Sequence, residues 1–254
     1  MKNIKNNFNN NRTIIFLSFL LTMIIFLKLS LWWSDLNNYT SLKQIILSET
    51  NLVNSSEYYK LVENNIGDDL NEINIKKINE ILKKHPYIKT TRISKVFPSR
   101  LKIELIERDP IALINIKPMV LIDTEGYVMP NIRSTKKLNL PIMTNFNSDL
   151  NLYPLGERVL SENVKKISIW LKKIKFKYPS LYENISEMKI TTQDNITMIL
   201  SNYPTNINLG RENIWTKIKI LKKFENELLP KTLANFSYLD MRYENQIIAM
   251  NRKI

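Results

Sequence analysis

Residues 97–112 have the sequence FPSRLKIELIERDPIA, whose central part alternates between apolar and charged side chains. Leu101, Ile103 and Leu105 would lie on one face of an extended chain, and the charged residues between them would lie on the opposite face. This alternation predicts a β-strand that packs one face against a hydrophobic core and exposes the other to water.

Upstream of this strand, the pattern indicates two short helices and two further strands. Asn74 can cap the second helix through its side-chain oxygen, and Pro86 ends that helix. The order is therefore β-α-α-β-β, and a unit this small needs both helices on one face of its sheet to form a core. The predicted elements are a strand at 42–47, helices at 55–65 and 75–85, and a strand at 88–96.

After residue 111 the sequence predicts a β-rich region with flanking helices. Asp123 and Gly126 bracket a type I turn between two short apolar runs, which is typical of a hairpin. The other predicted elements are helices at 161–177 and 212–229 and strands at 185–190, 196–200, 236–243 and 247–250, with a turn at 192–195. The helix at 161–177 has a basic outer face, for which a solvated surface, an acidic partner, anionic lipid headgroups and a cell-wall contact all remain open. Its lysines are Lys165, Lys166, Lys172, Lys173, Lys175 and Lys177. Nucleic acid is disfavoured, because the predicted membrane span places this helix outside the cell.

The first 33 residues differ from the rest of the chain. Residues 14–33 are apolar apart from Lys28, and twenty helical residues span about 30 Å, the thickness of a bilayer core. Lys28 can extend its ammonium group to the headgroups, and Trp32 and Trp33 fit an interfacial aromatic belt. We therefore predict an α+β protein with one N-terminal transmembrane helix. The predicted segments are a cytoplasmic tail at 1–12, the transmembrane helix at 13–33 and a linker at 34–40.

Charge predicts the orientation of this helix. Lys2, Lys5 and Arg12 precede the span, which places the N-terminus in the cytoplasm and the bulk of the chain outside. A cleaved signal peptide and a buried soluble helix are the alternatives. An uncleaved anchor is favoured because the exit sequence LSLWWSD, at 29–35, has bulky residues where signal peptidase requires small ones.

The composition excludes several classes of chemistry. The chain has 37 basic and 24 acidic residues, a net charge of +13, with no Cys, one His and four Gly. Disulfides, Cys-ligated metals and thiol nucleophiles are excluded, and the glycines are too scattered to form a phosphate-binding loop. Residues 1–33 contain four of the basic residues and no acidic one, so the remainder carries 33 basic against 24 acidic residues, or +9. We expect no metal and no cofactor.

No catalytic residue can be assigned from the sequence. His85 precedes Pro86 at a helix end, where a cation would complement the helix dipole, so we predict a structural role. Glu104 and Glu107 would lie on opposite faces of their strand, which argues against a paired acid and base.

Four short motifs occur in a consistent order across the chain. HPYIK at 85–89 resembles a "P-aromatic-Val/Ile" step, and residues 97–112 resemble the signature "W/F-P-x-x-L-x-I-x-x-x-E-x-x-P-x-A". LIDTEG at 121–126 resembles a "V-D-x-x-G" hairpin, and YLDMRY at 238–243 resembles a "Y-V-D-L-R-Y" strand. By these motifs the chain resembles the bacterial cell-division family FtsQ, called DivIB in some lineages. One departure is Asn145, where the family often has Gly after its "L-P" step.

The resemblance implies a POTRA domain at 41–110 and an FtsQ-type β domain at 111–254. It further implies a non-enzymatic, single-pass scaffold of the inner membrane that concentrates at the division septum. Members of this family bind the FtsB–FtsL pair through the β domain, and their POTRA domain is linked to recruitment by upstream division proteins. We therefore expect protein partners and membrane lipid, and neither nucleic acid nor a small-molecule substrate.

The resemblance also assigns residues to these roles. A POTRA recruitment motif would contain Phe97, Pro98, Glu107 and Pro110. The partner-binding strand region would contain Arg242, Tyr243, Ile247, Ile248 and Met250. A partner segment can add to an edge strand because such a strand has unpaired N–H and C=O groups.

Two other functions are compatible with parts of this pattern. A POTRA-containing envelope assembly or translocation factor would need a long barrel or several POTRA copies. A cell-wall enzyme would need a catalytic constellation of Ser, His or carboxylate side chains. The sequence provides neither feature.

Overall fold

The computed structural model describes residues 2–36, 39–131, 138–191, 193–244 and 246–253. Two positions of the predicted linker, 37 and 38, and Thr192 of the predicted turn lie outside these ranges.

The chain begins with a single long helix, α1, at Lys2–Leu36. It starts well before the predicted span, so the predicted tail is continuous with the helix. Its segment Arg12–Ser34 has a mean hydropathy of 2.5 and is exposed along its length. By length and composition this helix could cross a membrane, which fits a single-pass membrane protein. Ser18 and Thr22 donate hydrogen bonds to the carbonyl oxygens three residues earlier, at 3.0 and 2.8 Å, so their hydroxyls are satisfied within the helix.

The first folded unit has the predicted β-α-α-β-β order. Its strands form a sheet of order β1-β3-β2, in which β1 is parallel and β2 antiparallel to the central strand. The elements are β1 Gln44–Leu47, α2 Ser55–Glu63, α3 Ile75–Lys83, β2 Ile88–Val96 and β3 Arg100–Glu107. Asn54 and Asn74 cap the two helices by accepting hydrogen bonds from Ser56 N and Lys77 N.

The core of this unit forms on one side of β3, as the alternation predicts. Leu101, Ile103 and Leu105 are buried, whereas the charged residues between them are not. From the helices, Tyr58 and Leu82 are fully buried in the same cluster. Both helices therefore cover one face of the sheet.

The second unit contains a nine-stranded sheet of order β12-β11-β10-β9-β8-β7-β4-β5-β6. Its strands are β4 Pro110–Ile114, β5 Val120–Asp123, β6 Val128–Pro130, β7 Ile142–Thr144, β8 Ile185–Ile190, β9 Ile196–Leu200, β10 Asn206–Gly210, β11 Phe236–Asp240 and β12 Ile248–Asn251. Its helices are α4 Glu162–Lys177, α5 Pro179–Glu183 and α6 Ile214–Glu227, with short 3-10 turns at Leu150–Leu152 and Leu233–Asn235. The apolar stripes of α4 and α6 are buried in one core with the sheet.

Some elements differ from the predictions. Four elements were not predicted, namely β4, β7, β10 and α5. The strand β7 has only three residues, and β10, with the sequence NINLG, contains two polar residues and a glycine. The predicted strand at 236–243 ends at Asp240, and the predicted helix at 212–229 begins at Ile214 because Asn213, with φ 55°, is in the left-handed region.

Asn145 also adopts a left-handed backbone conformation, with φ 63°. Asparagine is among the non-glycine residues that most often adopt this conformation. This preference explains why the turn after β7 can have Asn at the position where the FtsQ-like family often has Gly.

The two folded units share side chains at their junction. On β5, Val120 and Ile122 are buried in the core of the second unit, whereas Leu121 is buried in the core of the first. Met129 of β6 is fully buried in the first core as well. Alternate residues of this hairpin thus form part of both cores.

Candidate partner interface

The strand β12 lies at one end of the nine-stranded sheet and is exposed along its whole length. It pairs antiparallel with β11, with Ile248 opposite Asp240 and Met250 opposite Tyr238. Ile248 and Met250 are 51% and 62% exposed. In the part of the chain that the structure describes, no strand pairs with the outer edge of β12, so its backbone groups are available to another chain.

Arg242 lies in the segment that follows β11 and is bound to the last residue of that strand. The Arg242 guanidinium donates to both carboxylate oxygens of Asp240, with Nη2 2.7 Å from Oδ2 and Nε 3.0 Å from Oδ1. The backbone N–H of Arg242 also donates to Oδ1 at 3.0 Å. Asp240 thus binds both the main chain and the side chain of Arg242 at the point where β11 ends, three residues before the end of the predicted strand.

The electrostatics of the Asp240–Arg242 pair favour the charged forms of both residues. The Arg242 guanidinium holds the pKa of the buried Asp240 carboxyl below its usual range, and Asp240 in turn raises the pKa of Arg242. The Tyr238 hydroxyl donates a further hydrogen bond to Asp240 Oδ2 at 3.1 Å. Gly210 has φ 74°, and a Cβ there would be 3.3 Å from Arg242 Cγ. A larger residue at 210 would therefore be strained and would press on the arginine.

The structure assigns different surroundings to the five residues predicted to bind a partner. Tyr243 is exposed, and its ring centroid lies 6.0 Å from the Arg242 guanidinium carbon. Arg242 is itself held by Asp240. Ile247 is half-buried and packs against the core of the second unit, so it supports the strand from below. Ile248 and Met250 are the apolar side chains that face outward on β12.

Arg252 is a residue of this region that sequence reasoning missed. Its guanidinium donates to the carbonyl oxygens of Ala234, Pro204 and Phe236 at 3.0–3.2 Å, which fixes the end of β12 to the loop before β10 and to the start of β11. A groove of about 650 Å³ opens beside it, lined in part by Tyr203. No sequence signal identifies Arg252, because its partners are backbone carbonyls from distant positions.

Of the four residues of the predicted recruitment motif, one is exposed to solvent and the other three are at least partly buried. Phe97 is exposed at the β2–β3 turn, Pro98 is half-buried and Pro110 is buried. Glu107 accepts hydrogen bonds at its two carboxylate oxygens from three backbone N–H groups and from the Tyr58 hydroxyl. The donors are Asn51 N at 2.5 Å, Leu52 N at 2.9 Å, Val53 N at 3.1 Å and Tyr58 Oη at 2.9 Å.

The two residues after Glu107 bind the second unit. The Arg108 guanidinium donates to Asp123 Oδ2 at 2.9 Å, and its Cζ lies 3.7 Å from the ring centroid of Tyr127. Asp109 pairs with Lys175 of α4 at 2.7 Å. Three consecutive side chains therefore bind the loop before α2, the β5–β6 hairpin and α4. Arg108 and Asp109 were not predicted to have a role.

The candidate catalytic groups have structural surroundings. Burial lowers the pKa of His85, whose ring packs edge-on against Tyr58 with centroids 5.0 Å apart. The ring is half-buried, and its Nε2 lies 3.6 Å from Glu57 Oε1. These surroundings fit the predicted structural role of His85, which stays a prediction. Glu104 pairs with Lys102 on the exposed face of β3, whereas Glu107 binds the loop before α2 from the opposite face. The described residues contain no group of side chains suited to hold a metal ion.

The membrane-anchor residues predicted from the sequence all lie on α1. Lys28, Trp32 and Trp33 are exposed on this helix, near the C-terminal end of its apolar segment. Their positions relative to a bilayer remain a prediction.

Comparisons with known proteins cover nearly the whole chain after α1. Residues 40–108 match the family model of the POTRA domain, FtsQ-type, and residues 109–250 match FtsQ/DivIB, C-terminal related. The chain is 23% identical over 212 residues to the cell division protein FtsQ of Geotalea daltonii, covering 83% of this chain and 75% of that protein. It is 24% identical over 208 residues to that of Geobacter sp. (strain M21), covering 82% and 74%, and 27% identical over 218 residues to that of Neisseria gonorrhoeae, covering 84% and 81%. The chain belongs to the FtsQ/DivIB family of cell division proteins.

Proposed function

We propose that this protein is a non-enzymatic, membrane-anchored scaffold of the division machinery, and that β12 is its main surface for FtsB/FtsL-like partners. Family membership supports a role in the divisome. The single observation that carries the finer proposal is the exposed outer edge of β12, with Ile248 and Met250 facing outward. Catalytic activity of the purified full-length chain toward cell wall would contradict the scaffold role.

Strand addition suits this surface for a physical reason. A partner segment that pairs with β12 would satisfy backbone N–H and C=O groups along the edge, and pockets for alternate side chains would give specificity. Tyr243 and Arg242 would flank the added strand, and both residue types are common among binding hot spots. The bonds from Arg252 to three carbonyl oxygens hold the C-terminal end of β12, which reduces the entropy lost on binding.

The proposed role of α1 is to tether the folded units to the inner membrane. With its N-terminus in the cytoplasm, the helix would confine the rest of the chain to the outer side of the membrane and raise the effective concentration of partners there. Lys28, Trp32 and Trp33 would lie at the outer interface. Upstream division proteins would recruit the chain to the septum through the POTRA domain, where Phe97 offers an exposed aromatic side chain.

The partner surface is tested by Ile248→Asp in the full-length protein. This residue is exposed, so the fold should be retained while a charge enters the centre of the proposed apolar contact. We expect capture of an FtsB-like partner from dividing cells to be lost. Leu150→Asp is the matched control, because Leu150 is about equally exposed and lies outside β12. Undiminished capture by the Ile248 variant, or equal loss with the control, would remove β12 from the interface.

Tethering is tested separately by deleting residues 1–33. The remaining chain should be released from the membrane and should no longer concentrate at the division site, because its effective concentration near partners falls. Fluorescence microscopy of a tagged fragment measures this. A fragment that still reaches the septum at wild-type levels would contradict tethering as the mechanism.

A further inference from the structure

A second exposed surface lies on the outer face of α4. Ile169 and Phe176 are 52% and 68% exposed, although both are large apolar residues. They are seven residues apart, so two turns of helix bring them to the same side. A separate stripe of α4 is buried in the core, and neither Ile169 nor Phe176 belongs to it.

Lysines flank this apolar pair on both sides. At 100° per residue, Lys165 and Lys172 lie on one side of Ile169, and Lys166 and Lys173 lie on the other. Lys165 pairs with Glu162 at 2.7 Å. Lys173 lies 5.6 Å from the Trp215 ring, and within the described ranges no carboxylate forms an ion pair with Lys166, Lys172 or Lys173. The face therefore carries surplus positive charge around two apolar side chains.

One side of this face is concave. A groove of about 760 Å³ lies between α4 and the loops beside it, lined in part by Leu160 and Ile169. Its charged lining residues are Lys165, Lys172, Arg158 and Glu125, and Glu125 is already paired with Lys89 at 2.6 Å. Leu160 is exposed at its edge, which adds a third apolar side chain. A flat lipid surface would leave such a groove unfilled, whereas the side chains of a helix could enter it.

We infer that this outer face of α4 binds an acidic, amphipathic helix of a partner protein. Apolar residues of the partner would pack against Ile169, Phe176 and Leu160, and its carboxylates would meet the flanking lysines. Complementary charge at such positions selects the partner and its orientation, as it does beside the apolar seam of a coiled coil.

This surface is separate from the one on β12. The sheet order places β12 at one end, whereas β5 and β6, whose connecting turn lines the groove, lie at the other. Two partners could therefore bind at the same time. The inference goes beyond the proposed function, and its failure would leave the role of β12 intact.

The test uses the full-length protein in phosphatidylcholine nanodiscs and a labelled designed helix of about 20 residues. The helix has Leu at heptad core positions and Glu at the flanking positions, and a second peptide has Lys in place of Glu. Fluorescence anisotropy should detect binding of the acidic peptide and not of the basic one. Ile169→Asp, and separately Lys172→Glu with Lys173→Glu, should each weaken binding roughly tenfold or more.

The matched control is Lys219→Glu with Lys223→Glu, which makes the same charge change on the exposed face of α6. This control and Ile248→Asp should leave the affinity unchanged. Absence of acidic-peptide binding, equal binding of both peptides, or equal weakening by the α6 control would overturn the inference. Vesicles of equal parts phosphatidylglycerol and phosphatidylcholine provide the last arm. If they bind this face and the acidic peptide does not, the surface recognises lipid and the inference is wrong.

Discussion

Replacing Glu107 by Gln should destabilise the POTRA domain substantially. The carboxylate accepts four hydrogen bonds, and each oxygen serves two donors. Gln retains one oxygen and turns an NH₂ group toward the other two donors. Hydrogen bonds to a charged group contribute about 1.5–3 kcal/mol each, so losing two should cost about 3–6 kcal/mol of local stability.

Native-state hydrogen exchange on the full-length protein measures this loss directly. The amides of Leu52 and Val53 are nearly buried and donate to Glu107, so their exchange should accelerate roughly a hundredfold or more. Glu104→Gln is the control, because it makes the same chemical change on the exposed face of the same strand. If these amides exchange at the same rate in both variants, the hydrogen bonds to Glu107 do not stabilise the loop before α2 and the reasoning is refuted.

Two further predictions concern the junction and the single histidine. Asp123→Ala leaves the Arg108 guanidinium, 10% exposed, without its carboxylate, and should cost about 3–5 kcal/mol in chemical denaturation; a loss below 1 kcal/mol would contradict a stabilising pair. His85 has a folded-state pKa below 6.5, so the unfolded chain takes up the proton first as pH falls, and stability should decrease below about pH 6.5. In the His85→Gln variant, the temperature midpoint of unfolding should change less with pH between about pH 7 and 5.5 than in the wild type. If the midpoint changes with pH as steeply as in the wild type, other groups cause the dependence.

The parts of the fold that were predicted correctly have strong local patterns. The strand β3 alternates regularly, Asn74 and Pro86 bracket α3, and the apolar stripe of α4 repeats over four turns. Burial of one face gives a strand or helix a regular spacing of apolar residues, and this spacing can be seen in the sequence alone. The missed elements, β7 and β10 among them, are short and pair through distant backbone, so tertiary contacts rather than local preference determine them.

The candidate interface was predictable only as far as family resemblance reached. Motif matching identified the YLDMRY segment, but it could not reveal that Arg242 binds Asp240 or that Ile247 packs against the core. The roles of Arg108 and Arg252 depend on partners many positions away. Their residue types are common on any basic surface, so the sequence offers no reason to single them out.

The shared β5–β6 hairpin has a consequence for chimeric proteins. Leu121 and Met129 belong by sequence to the second unit and by packing to the first. A POTRA domain transplanted from a relative with a cut at residue 108 would meet a foreign Leu121 and Met129, and each such mismatch in a packed core costs stability. Leu138 and Leu140 also pack against the first core. The smallest segment that can be exchanged without altering its own core therefore includes this hairpin and extends to about residue 140.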